Sequence, residues 1–186
     1  MQDKRQVHRM KTLFAILLFG LLSSASQRAS ASEVKVDVTL SPAGSFVAET
    51  TKVKGSAYQT PNGIAARDIE VDLNSLSTGI GLRDKHLKDH LQVTKYPMAK
   101  LSAAIGKNGQ GKALIEIKGV KKQVTGSYKI EGSQLNAEFK IHLPDLGLED
   151  MNYMGVGVDD DVTIHVTLPI AQRATASVGK PEKPGK

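Results

Sequence analysis

The stretch VTGSYKIEGSQLNAEFKI, residues 124–141, alternates almost without interruption. Val124, Gly126, Tyr128 and Ile130 share one parity, and Leu135, Ala137, Phe139 and Ile141 share another, with Lys129, Glu138 and Lys140 between them. A period of two is the mark of a strand with one buried face. The intervening Glu131-Gly132-Ser133 has turn chemistry. Reading outward, the same alternation recurs at Val34, Val36, Val38 and Leu40, at Ile69, Val71 and Leu73, at Ala113, Ile115 and Ile117, and at Val162, Ile164, Val166 and Leu168. Weaker candidates lie near 45–59 and 100–105, which brings the expectation to about eight strands.

One interval departs from this pattern. Over Leu82–Leu91 the leucines Leu87 and Leu91 are four apart among charged residues, which predicts a short amphipathic helix, with Tyr96-Pro97 expected to end it. An all-β chain that is apolar on one sheet face and charged on the other either closes into a barrel or packs two sheets together. The pattern satisfies both. A membrane barrel is excluded, because Lys, Glu and Asp occupy the positions that lipid would require to be apolar.

Charge is concentrated at the two ends. The 186 residues carry a formal +6, but residues 1–31 contribute +4 and residues 172–186 contribute +3, leaving the body at −1. A nucleic-acid footprint needs a basic folded surface, so no nucleic-acid partner is expected. Residues 1–31 combine a basic start, the apolar run Leu13–Leu22 and Ala29-Ser30-Ala31, which predicts a Sec-type signal peptide cleaved after Ala31 and a periplasmic or secreted protein. Either Met1 or Met10 serves as the start. The Pro- and Gly-containing tail Gln172–Lys186 is expected to be a disordered basic segment, capable of weak contact with an anionic membrane surface. Residues 32–171 are then a single domain.

The chain has little of the equipment of catalysis. It has no Cys, which removes disulfides, thiolate nucleophiles and Cys-ligated metals. No nucleophile-elbow motif occurs, and Glu149-Asp150 and Asp159-Asp160-Asp161 read as solvated loop charge. His86 and His90 have i, i+4 ligand spacing, yet two ligands make no site by themselves, so neither a metal nor a cofactor is expected. His142 and His165 face outward on their strands and read as surface residues, though neighbouring strands would allow the two rings to approach each other. Arg83 and Asp84, beside the turn Thr78-Gly79-Ile80-Gly81, are suited to clamp the helix against the sheet or to touch a ligand. The small inward residues Ala113, Gly126 and Ala137 leave room either for large neighbours or for an internal ligand.

Leu76-Ser77-Thr78-Gly79, then Arg83-Asp84-x-His86-Leu87, Lys95-Tyr96-Pro97 and Leu101, resemble the central signature of the YceI-like family. Ile117–Val124 and Val158–Leu168 are similar to two further family segments, so the resemblance runs from Val34 to Ile170. Two features depart from the family pattern: Ser41–Phe46 lacks the His common near the family's start, and the chain is poor in aromatics.

The resemblance implies an eight-stranded antiparallel lipocalin-like barrel with a short helical insertion. It also implies a periplasmic, polyisoprenoid-binding protein with an elongated apolar tunnel and no catalytic residues. The expected function is therefore carriage of an isoprenoid, isoprenoid quinone or fatty-acid derivative, not enzymatic turnover. Arg83 and His86 are the candidates for the mouth. Candidates for the lining are Leu87, Leu91 and Tyr96 near the helix, with Ala113, Ile115, Ile117 and Tyr128 on the middle strands. Ala137, Phe139, Ile141, Ile164 and Val166 complete the set on the last ones. The alternative from another class is a periplasmic stress-response or adhesion accessory protein with a packed interior that acts through its outer surface. Oligomeric state is not legible.

Overall fold

The alternating segment forms a hairpin of β8 (Val120–Glu131) and β9 (Gln134–His142), with Tyr128 opposite Ala137 and Ile130 opposite Leu135. The structure, a computed structural model, describes residues 31–42, 44–149, 151–153 and 155–171. The leader expected over residues 1–31 lies outside them except for Ala31, and the basic tail 172–186 lies outside them altogether.

The other strands, in chain order, are β1 (Glu33–Ser41), β2 (Ser45–Thr50), β3 (Val53–Lys54), β4 (Ala57–Thr60), β5 (Gly63–Asp72), β6 (Met98–Lys107), β7 (Gln110–Ile117), β10 (Asn152–Tyr153), β11 (Val156–Val158) and β12 (Asp161–Ala171). The helix α1 (Gly81–Leu91) fills the interval between β5 and β6. Hydrogen bonding runs β4-β5-β6-β7-β8-β9-β12 and returns to β4, so seven strands make a closed ring. Outside that ring, β1 lies on β12, β2 on β1, and β3 on β5. The all-β barrel with one helical insertion is as expected. The count of eight is replaced by seven ring strands with short additions, and the closing contact is parallel, Ile170 against Ala57 and Ala171 against Tyr58.

Two opposed irregularities explain why β5 and β6 were hard to read. Asp68 takes a left-handed backbone (φ 52°), and Ala66 and Ile69 on either side of it are both buried, so inward parity changes there. Opposite, the β6–β7 register slips between Leu101 and Ala103, leaving Ala104 rather than Ala103 facing in. Each is a one-residue insertion that reverses which residues face the core.

α1 ends at Gln92, which is left-handed (φ 52°) and returns its N–H to Lys88 O and Asp89 O. The helix therefore stops before Tyr96-Pro97. Leu91 is buried and Leu87 partly so. Opposite ends of the barrel thus differ. One, the helix end, carries α1 and the single-turn helix Leu143–Leu146. The other, the turn end, carries the β4–β5, β6–β7 and β8–β9 hairpin turns.

Candidate functional site

The inward residues line two apolar cavities, one toward each end of the barrel. At the turn end is a space of about 80 Å³, whose lining includes Ala104, Ala113, Tyr128, Ala137, Phe139 and Val166. At the helix end is one of about 120 Å³, whose lining includes Phe46, Leu87, Leu91, Ile117, Ile141 and Ile164. On β7, Ala113 lines the first and Ile117 the second, while the buried Ile115 between them lines neither. Val34 on β1, paired with Val166 of β12, is likewise buried and lines neither. Ile115 thus stands between the two linings on β7.

The small residues singled out in the sequence are where the turn-end cavity is. Ala113, Gly126 and Ala137 all line it. Glycine at 126 is also required by a close approach, since a Cβ there would run into the Glu138 carbonyl and Phe139 Cβ of β9. Gly106 is required for a different reason: its missing Cβ makes room for the Tyr128 ring, which lies across it. Neither need shows in the sequence, where both read only as small residues.

Ala137→Leu, which adds three carbons at the turn-end cavity, should leave the denaturation midpoint of the lipid-free protein nearly unchanged. Ala137→Trp should overpack it at a cost of about 1–3 kcal/mol. An Ala137→Leu variant as damaged as Ala137→Trp would mean that the space cannot be filled.

At the helix end, Asp84 is a clamp. Its carboxylate accepts from the Thr78 backbone N–H (2.6 Å), from Thr78 Oγ1 (2.6 Å) and from Ser77 Oγ (3.1 Å). Ser77 in turn exchanges backbone hydrogen bonds with Glu49 of β2. The Thr78 hydrogen bonds, side chain first and then backbone, hold the Asp84 carboxyl below the ordinary aspartate range. Asp84→Ala should lower stability by about 1.5–3 kcal/mol at neutral pH, the usual worth of hydrogen bonds to a charged group. A depressed folded-state value contributes stability above the unfolded value, near pH 4, and loses it as pH falls through the folded one. The gap between wild type and variant, read from urea midpoints, should therefore narrow in acid; a gap independent of pH would contradict the clamp.

Arg83 and His86 do not line either cavity. The Arg83 guanidinium instead sits 4.5 Å above the Phe46 ring, a cation–π contact over a residue that does line the helix-end cavity. His90, exposed on α1, lines that cavity where His86 had been the candidate. Tyr96 lies outside the cavities too, because its ring packs on the turn residue Gly119. Sequence reasoning left out Phe46, Leu146 and Leu148, whose segments carry no clean alternation, and also Leu143, which the alternation over 135–143 does place on the inward face; all four line the helix-end cavity.

The outer histidines are each taken by a carboxylate. β9 and β12 are neighbours, but His142 pairs with Asp161 at 2.8 Å and His165 with Asp37 at 2.9 Å, so the rings do not meet. The Asp161 hydrogen bond raises the His142 pKa. Among the described residues no three His, Cys, Asp or Glu side chains are grouped to hold a metal.

A closed, lipocalin-type barrel with an apolar interior is the class these features define. The YceI-like domain profile matches residues 25–170, and the chain belongs to that family. A polyisoprenoid-binding domain from Saccharophagus degradans, implicated in plant cell wall breakdown, is similar in structure: TM-score 0.54, 16% identity, covering 75% of this chain and 92% of that one. BcnA of Burkholderia cenocepacia is similar at TM-score 0.55 and 16% identity, covering 73% and 94%. No curated protein matches the sequence.

Proposed function

We propose that this barrel binds and carries a long-chain apolar amphiphile, an isoprenoid, isoprenoid quinone or fatty-acid derivative, in the bacterial periplasm, and performs no chemistry on it. The observation that carries the reading is the turn-end cavity, apolar and bounded by Ala113 and Ala137 where a filled barrel would place large side chains. The similar Saccharophagus domain is described as polyisoprenoid-binding, which supports the ligand class. The basic start and apolar run of the first 31 residues support export.

Carriage needs only apolar area. At about 25 cal/mol per Å², a few hundred Å² of buried chain supplies several kcal/mol. Cavities of about 80 and 120 Å³ fall below the ~300–1,000 Å³ of typical ligand pockets, so a long chain needs both, and Ile115, which stands between their linings, has to move as it enters.

That same small size favours a second reading, a packed accessory protein acting through its surface. Titration of lipid-free protein with cis-parinaric acid, a fluorescent long-chain carboxylic acid, separates the two. The carrier gives saturable one-to-one binding with a negative heat-capacity change. Absence of saturable binding would overturn it in favour of the surface reading.

A further inference from the structure

The two ends of the barrel are unequally closed. At the helix end, Leu87, Leu91, Leu143, Leu146 and Leu148 lie over the cavity. That cover is tied down by the Asp84 clamp, by Lys118 Nζ donating to Gly147 O at 2.7 Å, and by the Lys122–Asp145 ion pair at 2.7 Å. Among the described residues the turn end has no such cover. A cleft of about 610 Å³ lies there, bounded by residues of the β4–β5 and β6–β7 hairpins.

The cleft and the inner cavity share Ile64, Ala65, Ile105, Gly106, Gly111 and Lys112. Ile105 and Lys112 face outward whereas Ile64, Gly106 and Gly111 face inward, so the cleft crosses the rim of the barrel. The Tyr128 ring lies on the inner side of Gly106. Among the described residues no hydrogen bond holds its hydroxyl, so packing alone keeps the ring in place. Ile105 stands at the lip with 68% of its surface exposed. Lys107 and Lys112 line the cleft, neither has an ion-pair partner among the described residues, and no acidic residue lines it.

The geometry points to a loading portal at the turn end, between the β4–β5 and β6–β7 hairpins, where the Tyr128 ring is the gate and Lys107 and Lys112 receive the anionic head, carboxylate or phosphate, of an apolar chain. This rests on the carrier reading and relocates the mouth from Arg83 and His86 to the opposite end. The tail passes over Ile105 and the glycine wall, the ring swings aside, and the charged head stays in the cleft where desolvation is incomplete.

The chain has no cysteine, so a single introduced one can be labelled cleanly. Ile105→Cys and Leu82→Cys, at the lip and on exposed α1 respectively, would each carry a bulky maleimide, and uptake of cis-parinaric acid would be followed by stopped flow. The label at 105 should slow uptake, the label at 82 should not, and Tyr128→Ala should speed both uptake and release. Lys107→Gln with Lys112→Gln should weaken a long-chain carboxylate or alkyl phosphate about tenfold, equivalent to ~1.4 kcal/mol, while a long-chain alcohol binds as before. Whichever anion the double variant loses more of identifies the head group. Slowing by the label at 82 alone, or equal weakening of alcohol and anions, would overturn the portal while leaving the carrier intact. If the unlabelled protein takes up no probe, the carrier reading falls and the portal with it.

Discussion

Ile115→Ala is expected to lower the stability of the lipid-free protein by about 2–5 kcal/mol and, in the same molecule, to extend the chain length that the barrel accepts. The first effect is that of a large-to-small change at a buried aliphatic; Ile115 is only 5% exposed. The second follows from its position. It stands between Ala113, which lines the turn-end cavity, and Ile117, which lines the helix-end one, so removing it joins spaces of about 80 and 120 Å³. Urea midpoints give the first quantity, and affinities across a series of saturated fatty acids give the second. Loss of stability with an unchanged chain-length preference would show that Ile115 packs the core without limiting the ligand. Ile115→Phe should act in the opposite sense and favour shorter chains.

The other large effect is expected at Gly126. A methyl group there meets the Glu138 carbonyl, part of the neighbouring backbone, which cannot rotate away as a side chain would. Gly126→Ala should therefore cost at least the ~1–3 kcal/mol of ordinary overpacking. It should also disturb the β8–β9 pairing, in which Gly126 faces Phe139. Hydrogen exchange of the Glu138 and Phe139 amides should rise more than that of β4 and β5. A variant with an unchanged midpoint would mean that β8 and β9 lie farther apart at this point.

The β8–β9 hairpin and β12 were legible because their apolar residues alternate with no irregularity to shift the parity, although Ile130, read with the inward set, is 44% exposed. The Asp68 and Ser102 region was not, because opposed irregularities there preserve the pairing of β5 with β6 while reversing the inward set on both. The segment from Leu146 to Leu148 was illegible for another reason: its leucines are buried by a single helical turn and a loop, which have no period to detect, whereas Leu143 continues the inward parity of β9. Family resemblance located the signature around Arg83 and Asp84 but could not say that Asp84 would serve as the clamp and Arg83 would lie on Phe46. That Ile115 would line neither cavity was equally hidden, since it shares one face of one strand with Ala113 and Ile117, which do.

Native mass spectrometry of the protein freshly purified from its native source tests the central claim most directly. The account predicts a population whose mass exceeds that of the chain by one apolar molecule, which organic extraction releases and which returns when the extract is added back to the lipid-free protein. A homogeneous mass of the chain alone, with no molecule recovered on extraction and none taken up afterwards, would contradict it.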